Sequence, residues 1–457
     1  MVRKAILIFF VSVLVLLSVH EIPALLSVDF VLSSDSKNLS VDWSHYHNYT
    51  EIVEILLRLN VTYPNVVDVF SIGKSWQNRT IYCVRLTNEN VGDSKPKVLF
   101  VGYHHARERI AAELPLYFVV YAAENYGVNS TVTQMLDMTE IYVVVALNVD
   151  GFDAVETNEW QRKNLHPFDE DNDGLFEEDP PDDEDGDGFI EDLVQWNGTD
   201  WIFIRWEGID DDGDGLLNED WVGGVDLNRN YGFQWNATCE SGSSEPKAED
   251  FRGAAPFSEP ETQAIRDLAL QHDFKYAVSF HSGSENIVYP WGYTTASPPH
   301  NETFVEIAQE LSQLIECEYE QSGTWFTTSG VWDDWMYNNR STLAFTCEIY
   351  ANNSAFQYEP STIQNFSWER GVFQFFNPDP KEIETTLLRW MPVFFCITNV
   401  AIEQGPTTFL GLYWWIWALI TVALIAVGIA AVFIYRGKKV PSSPNYPQDQ
   451  QSSQTTM

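Results

Sequence analysis

Between Tyr46 and Leu59 the apolar residues Ile52, Val53, Ile55, Leu56 and Leu59 recur at helical spacing, which predicts an amphipathic helix. Two short β-rich runs follow, at Val66–Ser71 and Ile81–Leu86. Lys97–Tyr103 and Ile141–Leu147 are near-continuous apolar runs of buried-strand length, and Ala111–Asn125 reads as a helix behind the first. The alternation continues with a helix over Glu259–Gln271 leading into a strand at Tyr276–Phe280. A helix over Phe304–Ile315 then precedes a strand at Leu343–Ile349. Thr385–Glu403 reads as a last helix, kinked by Pro392 near its middle. Strands alternating with helices predict an α/β fold with a largely parallel or mixed sheet. In such sheets functional residues gather just past the strand ends.

The two ends carry a different pattern. Arg3 and Lys4 precede an apolar run from Ala5 to Val19, the layout of a signal peptide, expected to end near Ala24–Ser27. Phe409 to Tyr435 holds no charged residue. As a helix it would reach roughly 40 Å, more than the hydrocarbon core of a bilayer. Trp414, Trp415 and Trp417 mark one end, while Arg436, Lys438 and Lys439 follow the other, which places the basic end in the cytoplasm. The expected organisation is a signal peptide over 1–27 and a catalytic domain over 28–404. A transmembrane helix over 409–435 and a disordered cytoplasmic tail over 436–457 complete it. Sequons beginning at Asn38, Asn48, Asn60, Asn78, Asn129, Asn197, Asn236, Asn301, Asn339, Asn352 and Asn365 all fall on the expected outer side, as in a glycoprotein.

Charge adds two constraints. The 457 residues carry 26 Lys and Arg against 66 Asp and Glu, a net −40, which excludes a nucleic-acid partner. Five cysteines are too few, and odd in number, for a disulfide scaffold. About half of the net charge lies in one stretch, 169–220, where 22 acids meet a single basic residue, Arg205. Three copies of one pattern sit within it. They are Asp169, Asp171, Asp173 with Gly174; Asp183, Asp185, Asp187 with Gly188; and Asp210, Asp212, Asp214 with Gly215. Each has an acid four residues after the glycine, namely Glu178, Asp192 and Glu219. Oxygen ligands at positions 1, 3 and 5 before a turning glycine are how a loop wraps Ca²⁺, here as a compact EF-hand-like loop. Without a cation so many carboxylates repel one another.

The candidate chemistry sits on separate segments. His105 and Glu108 form H-x-x-E on a turn just past the Lys97–Tyr103 strand, a spacing that lets both point at one metal. His281 ends the Tyr276–Phe280 strand and would complete a His₂Glu set for Zn²⁺. Glu348 ends an otherwise apolar strand, where a carboxylate needs a partner or a job, such as accepting a proton from water. Arg229, within Asp226-Leu227-Asn228-Arg229-Asn230, offers a planar fork for a carboxylate.

Together these segments resemble the zinc metallocarboxypeptidases of the carboxypeptidase A/B and T type, from about His45 to Gln404. Ser71–Ser75 with Arg79, Asn148–Gly151, Arg162–Asn164, Gly223–Asn230, His281-Ser282 and Asp334-Trp335 carry the likeness as well. The resemblance implies a single α/β/α domain around a mixed eight-stranded sheet. It implies His105, Glu108 and His281 as zinc ligands, Glu348 as general base and Arg162 as the group stabilising the oxyanion. Asn228 and Arg229 would clamp the substrate's terminal carboxylate, with Arg107 as a subsite contact. Where the family has a tyrosine that closes over the substrate, this chain has Phe326, and Arg109 replaces the aromatic residue that often follows H-x-x-E. Asp333 falls in the pocket for the departing side chain, which favours C-terminal Lys or Arg. The acidic stretch lies between Arg162 and Asn228, where the family has a shorter connection, and the segment before His45 is too short for a folded pro-domain.

The expected protein is a membrane-anchored, extracellular, Ca²⁺-stabilised zinc carboxypeptidase acting on peptide or protein C-termini. Two other readings stay open at this point: a zinc amidohydrolase acting on cell-wall or amide-conjugate substrates, and a catalytically silent surface binding module.

Overall fold

The computed structural model describes residues 39–403, save 93, 170–173, 175, 177–178, 185, 187–189, 212, 214, 219–222 and 361–365, together with 408–409 and 412–413. An eight-stranded sheet runs in the order β1-β2-β4-β3-β7-β10-β8-β9. Its strands are β1 (Val67–Lys74), β2 (Thr80–Leu86), β3 (Lys97–Gly102), β4 (Glu140–Val144), β7 (Phe274–His281), β8 (Ser284–Tyr289), β9 (Glu318–Gln321) and β10 (Leu343–Tyr350). The central strands β4, β3, β7 and β10 are mutually parallel, β2 and β8 run antiparallel to them, and the sheet is mixed as expected. Burial on both faces explains why β3 and β7 are apolar almost throughout.

Helices cover both faces. On one side lies Ile110–Asn125, buried along nearly its whole length, with Asn301–Ile315 and the closing helices Ile383–Trp390 and Pro392–Glu403. Phe118 stacks on Phe394 at 4.0 Å, and Phe394 in turn meets Phe100 of β3 at 4.6 Å, so these layers share one aromatic core. Pro260–Gln271 and Trp332–Arg340 pack on the sheet as well.

One expectation changes. The closing segment is two helices, not one kinked helix: Pro392 has no N–H to give and instead opens the second helix at its first position. The run Val372–Glu403 is apolar and long enough for a membrane span by composition, yet Ile383, Leu387, Trp390, Val393, Phe394 and Ile397 are buried in the domain core. Of the span expected at 409–435, only Phe409, Leu412 and Tyr413 are described, in a pair of two-residue strands; the rest of it, the signal peptide and the tail lie outside the described residues.

The acidic stretch is more than loops. It contains a hairpin, β5 (Asp192–Trp196) and β6 (Trp201–Trp206). With β11 (Gln357–Pro360) and β12 (Phe366–Arg370) it builds a second, antiparallel sheet in the order β11-β12-β5-β6.

Candidate active site at the ends of three central strands

Neighbouring parallel strands end together, and three of them deliver the site. Gly102 of β3 lies opposite Phe280 of β7, and Glu348 of β10 lies opposite His281. The turn after β3 therefore meets the ends of β7 and β10 at one place. Gly102 allows this closeness, because a Cβ there would come within 2.3 Å of the Ala111 carbonyl oxygen. Tyr103 follows in the left-handed region, at φ +61°, with its hydroxyl donating to the Ala106 carbonyl at 2.5 Å. The same turn is tied to the Arg162 segment, since Ala106 N–H donates to the Arg162 carbonyl and the Asn148 amide donates to the Lys163 carbonyl.

His105, Glu108 and His281 come together, their ligand atoms all within 4.8 Å of one another. Glu108 bridges the two imidazoles, with 2.7 Å from Oε1 to His105 Nδ1 and 3.0 Å from Oε2 to His281 Nδ1. The far nitrogens are held from behind. His105 Nε2 lies 3.0 Å from Asp226 Oδ1, and His281 Nε2 lies 3.0 Å from Ser279 Oγ. Two imidazoles and a carboxylate, buried and oriented through their outer nitrogens, suit a catalytic zinc, which leaves a position for water. Burial would raise the Glu108 carboxyl, but His105 and His281 hold it well below the usual carboxylate range. Asp226 is also held well below that range: Arg162 and Arg229 outweigh its burial.

The remaining candidates surround this group. Arg162 grips Asp226 through Nε at 3.0 Å and a second nitrogen at 2.9 Å, and its other end stands 3.7 Å from Glu108 Oε1. Glu348 is pushed well above the usual carboxylate range by burial, with the Glu108 charge adding to it. Arg229 is tethered by Ser241 Oγ at 3.0 Å and the Asn228 carbonyl at 2.8 Å, which fixes the plane of its fork. Asn228 accepts from the Trp332 N–H at 2.9 Å through Oδ1, which ties this turn to the helix bearing Asp333. Asp333 is buried against the N–H of Asp334 at 2.9 Å, and burial raises its carboxyl to about 6. Phe326 is half-buried against Trp325, and Thr328, two residues on, bridges to Ser241 beside Arg229. Arg107 forms a bidentate pair with Glu249 at 2.9 and 3.2 Å and stacks over Phe376.

The acidic loops are described in part. In two of them the first aspartate folds back onto the N–H of its glycine, Asp169 onto Gly174 and Asp210 onto Gly215, both at 3.1 Å. Both glycines have positive φ. Asp183 accepts from the Gly186 N–H at 2.6 Å. Asp192 opens β5 and is buried there, so this acid belongs to the sheet and not to a loop. Asp171, Asp173, Glu178, Asp185, Asp187, Asp212, Asp214 and Glu219 lie outside the described residues.

Asp226, Ser279 and Glu249 were not assigned functional roles from sequence. Asp226 stands 121 residues from His105 along the chain, and no local spacing announces that contact.

The sheet order, with His105, Glu108 and His281 gathered just past its strand ends, is that of a zinc carboxypeptidase fold. The chain belongs to the zinc carboxypeptidase family, whose profile matches residues 52–372. It is 25% identical over 318 residues to mast cell carboxypeptidase A of Homo sapiens, covering 67% of this chain and 63% of that protein, so it spans less than two thirds of that relative's length. It is 27% identical over 319 residues to carboxypeptidase B of Astacus astacus, covering 68% and 88% respectively. The crystal structure of carboxypeptidase A from Helicoverpa armigera shares the fold, with a TM-score of 0.58, 21% identity and coverage of 82% and 78%.

Proposed function

We propose that the chain is a zinc-dependent carboxypeptidase that removes the last residue of peptides or proteins outside the cell. One observation carries this reading: His105, Glu108 and His281 converge beside Glu348, with the Asn228–Arg229 fork at the same site. Bound by His105, Glu108 and His281, zinc supplies Lewis acidity, polarising a carbonyl and making water acidic. Arg229 and Asn228 hold the substrate's terminal carboxylate, which restricts cleavage to the last peptide bond. Arg162, fixed by Asp226 and reaching toward Glu108, faces the negative charge that develops on the carbonyl oxygen. Glu348 takes the proton of the attacking water and returns it to the departing amine. A carboxyl biased above its usual range is well suited to that second transfer.

Asp333 supports a preference for basic C-terminal residues. The back-folded turns at Asp169 and Asp210 support Ca²⁺ in the acidic insertion, where the ion would neutralise carboxylates that otherwise repel. The described sequon asparagines Asn48, Asn60, Asn78, Asn129, Asn197, Asn236, Asn301, Asn339 and Asn352 are all exposed or half-buried, which supports a glycosylated outer domain. The apolar run 409–435 supports a single membrane anchor with a cytoplasmic tail.

The test is hydrolysis of peptides ending in Lys, Phe or Asp, each with a free or an amidated C-terminus, with zinc and calcium present. Cleavage of free C-termini alone, lost in Glu348→Gln, is expected. Equal cleavage of amidated peptides would instead indicate an amidohydrolase, and zinc binding without turnover a binding module.

A further inference from the structure

Arg162 and Asp226 meet although 64 residues separate them along the chain, with the whole acidic insertion in between. Their grip therefore depends on the register of the two segments that carry them, 162–166 and 223–226. These segments run side by side at the base of the insertion. Asn164 N–H donates to the Val225 carbonyl at 3.1 Å, and Gly224 N–H donates to the His166 carbonyl at 2.8 Å. The approach is close: Gly224 sits at φ +105°, and a Cβ on it would come within 2.1 Å of the Asn164 carbonyl oxygen.

Asn164 adds a side-chain tie to this pairing. It is fully buried, and both ends of its amide are engaged. Oδ1 accepts from the Val225 N–H at 2.8 Å, while Nδ2 donates to Glu259 Oε2 at 2.8 Å and to Glu261 Oε2 at 3.1 Å. Those two acids stand at the start of the Pro260–Gln271 helix, which packs on β1. Glu259 is fixed in turn by Trp76 Nε1 at 2.7 Å and Ser258 Oγ at 2.6 Å. One amide thus joins the segment of Arg162 to the segment of Asp226 and refers both to a helix of the main domain.

The carboxylate fork has separate supports, since Arg229 is held by Ser241 Oγ and the Asn228 carbonyl. Loss of the Asn164 amide should therefore displace Arg162 and spare the clamp. We propose that Asn164 is a positioning residue for the hydrolysis, holding Arg162 where negative charge develops on the carbonyl oxygen. This rests on the carboxypeptidase reading above. A displacement of about 1 Å at such a group is enough to cost one to two orders of magnitude in rate.

The test is a double-mutant cycle on the zinc-loaded full chain, with a peptide of free C-terminus as substrate. Asn164→Ala should lower kcat about tenfold, with KM changed by less than about twofold and zinc content retained. On an Arg162→Ala background the same substitution should lower kcat by less than about twofold, because the group it positions is already gone. A merely structural role would give the same loss on both backgrounds. Asn164→Ser, a smaller change at the same place, is read through the same cycle should Asn164→Ala not fold. The proposal is overturned if kcat stays within about threefold of wild type, if the loss falls on KM, or if it persists undiminished without Arg162. Wild-type cleavage of no free C-terminus would overturn the carboxypeptidase reading and this one with it; an active wild type with additive losses overturns this one alone.

Discussion

Glu108 and Asp192 are both carboxylates almost fully withdrawn from water, at 2% and 4% exposure, yet their surroundings drive them in opposite directions. Burial works against ionisation in both. At Glu108 the imidazoles of His105 and His281 overcome it, and the group is held well below the usual range. At Asp192 burial goes unopposed except by Arg107, the charges of Glu369 and Glu249 reinforce it, and the carboxyl rises to about 9. The candidate metal centre brings its own positive groups; the insertion, with one basic residue among 22 acids, does not. A buried carboxylate is thus a prepared ligand only where the fold supplies its counter-charge, and elsewhere it takes a proton or needs an ion from outside.

The comparison can be broken most forcefully at the centre. Glu348→Gln should lower kcat about 10³-fold with the melting temperature unchanged, read by steady-state kinetics beside a thermal scan. A loss below tenfold would remove Glu348 from proton transfer. Asp226→Asn should weaken zinc affinity by about 10–100-fold, measured by competition with a chelator, because His105 loses the carboxylate that orients it.

Specificity sharpens the comparison, because Asp333 is a third buried carboxylate of intermediate character. Its carboxyl, raised to about 6 by burial, is neutral below that pH and charged above it. Preference for C-terminal Lys over Leu should therefore rise about tenfold between pH 5 and pH 7, and Asp333→Asn should flatten that profile.

The smallest effects belong to the insertion. Calcium chelation should lower the melting temperature by several degrees, and Asp210→Asn should reduce the shift. Asp192 titrates near 3.8 when unfolded and near 9 when folded, so the unfolded chain releases this proton first. Its stabilising contribution is complete below pH 3.8 and declines as pH rises toward 9. Asp192→Asn should flatten the fall of melting temperature between pH 5 and pH 8.

The same contrast decided what could be read from the sequence. β3, β7 and β10 announce themselves as apolar runs, and their end residues His105, Glu108, His281 and Glu348 were legible because a turn or strand end is a local feature. The Trp332–Arg340 helix was missed because Asp333, Asp334 and Asn338 interrupt its apolar pattern, although those acids suit a helix N-terminus. The β5–β6 hairpin was hidden in an acidic background, and its pairing to β12 joins segments far apart in the chain. Asp226 behind His105 and Glu249 on Arg107 are tertiary contacts without sequence periodicity.

The most direct measurement is the zinc and calcium content of the purified full chain, determined together for wild type, His281→Ala and Asp210→Asn. The account predicts one zinc in wild type, lost in His281→Ala with calcium retained, and calcium reduced in Asp210→Asn with zinc retained. Zinc retained at full occupancy in His281→Ala, or no calcium in the wild-type protein, would contradict it.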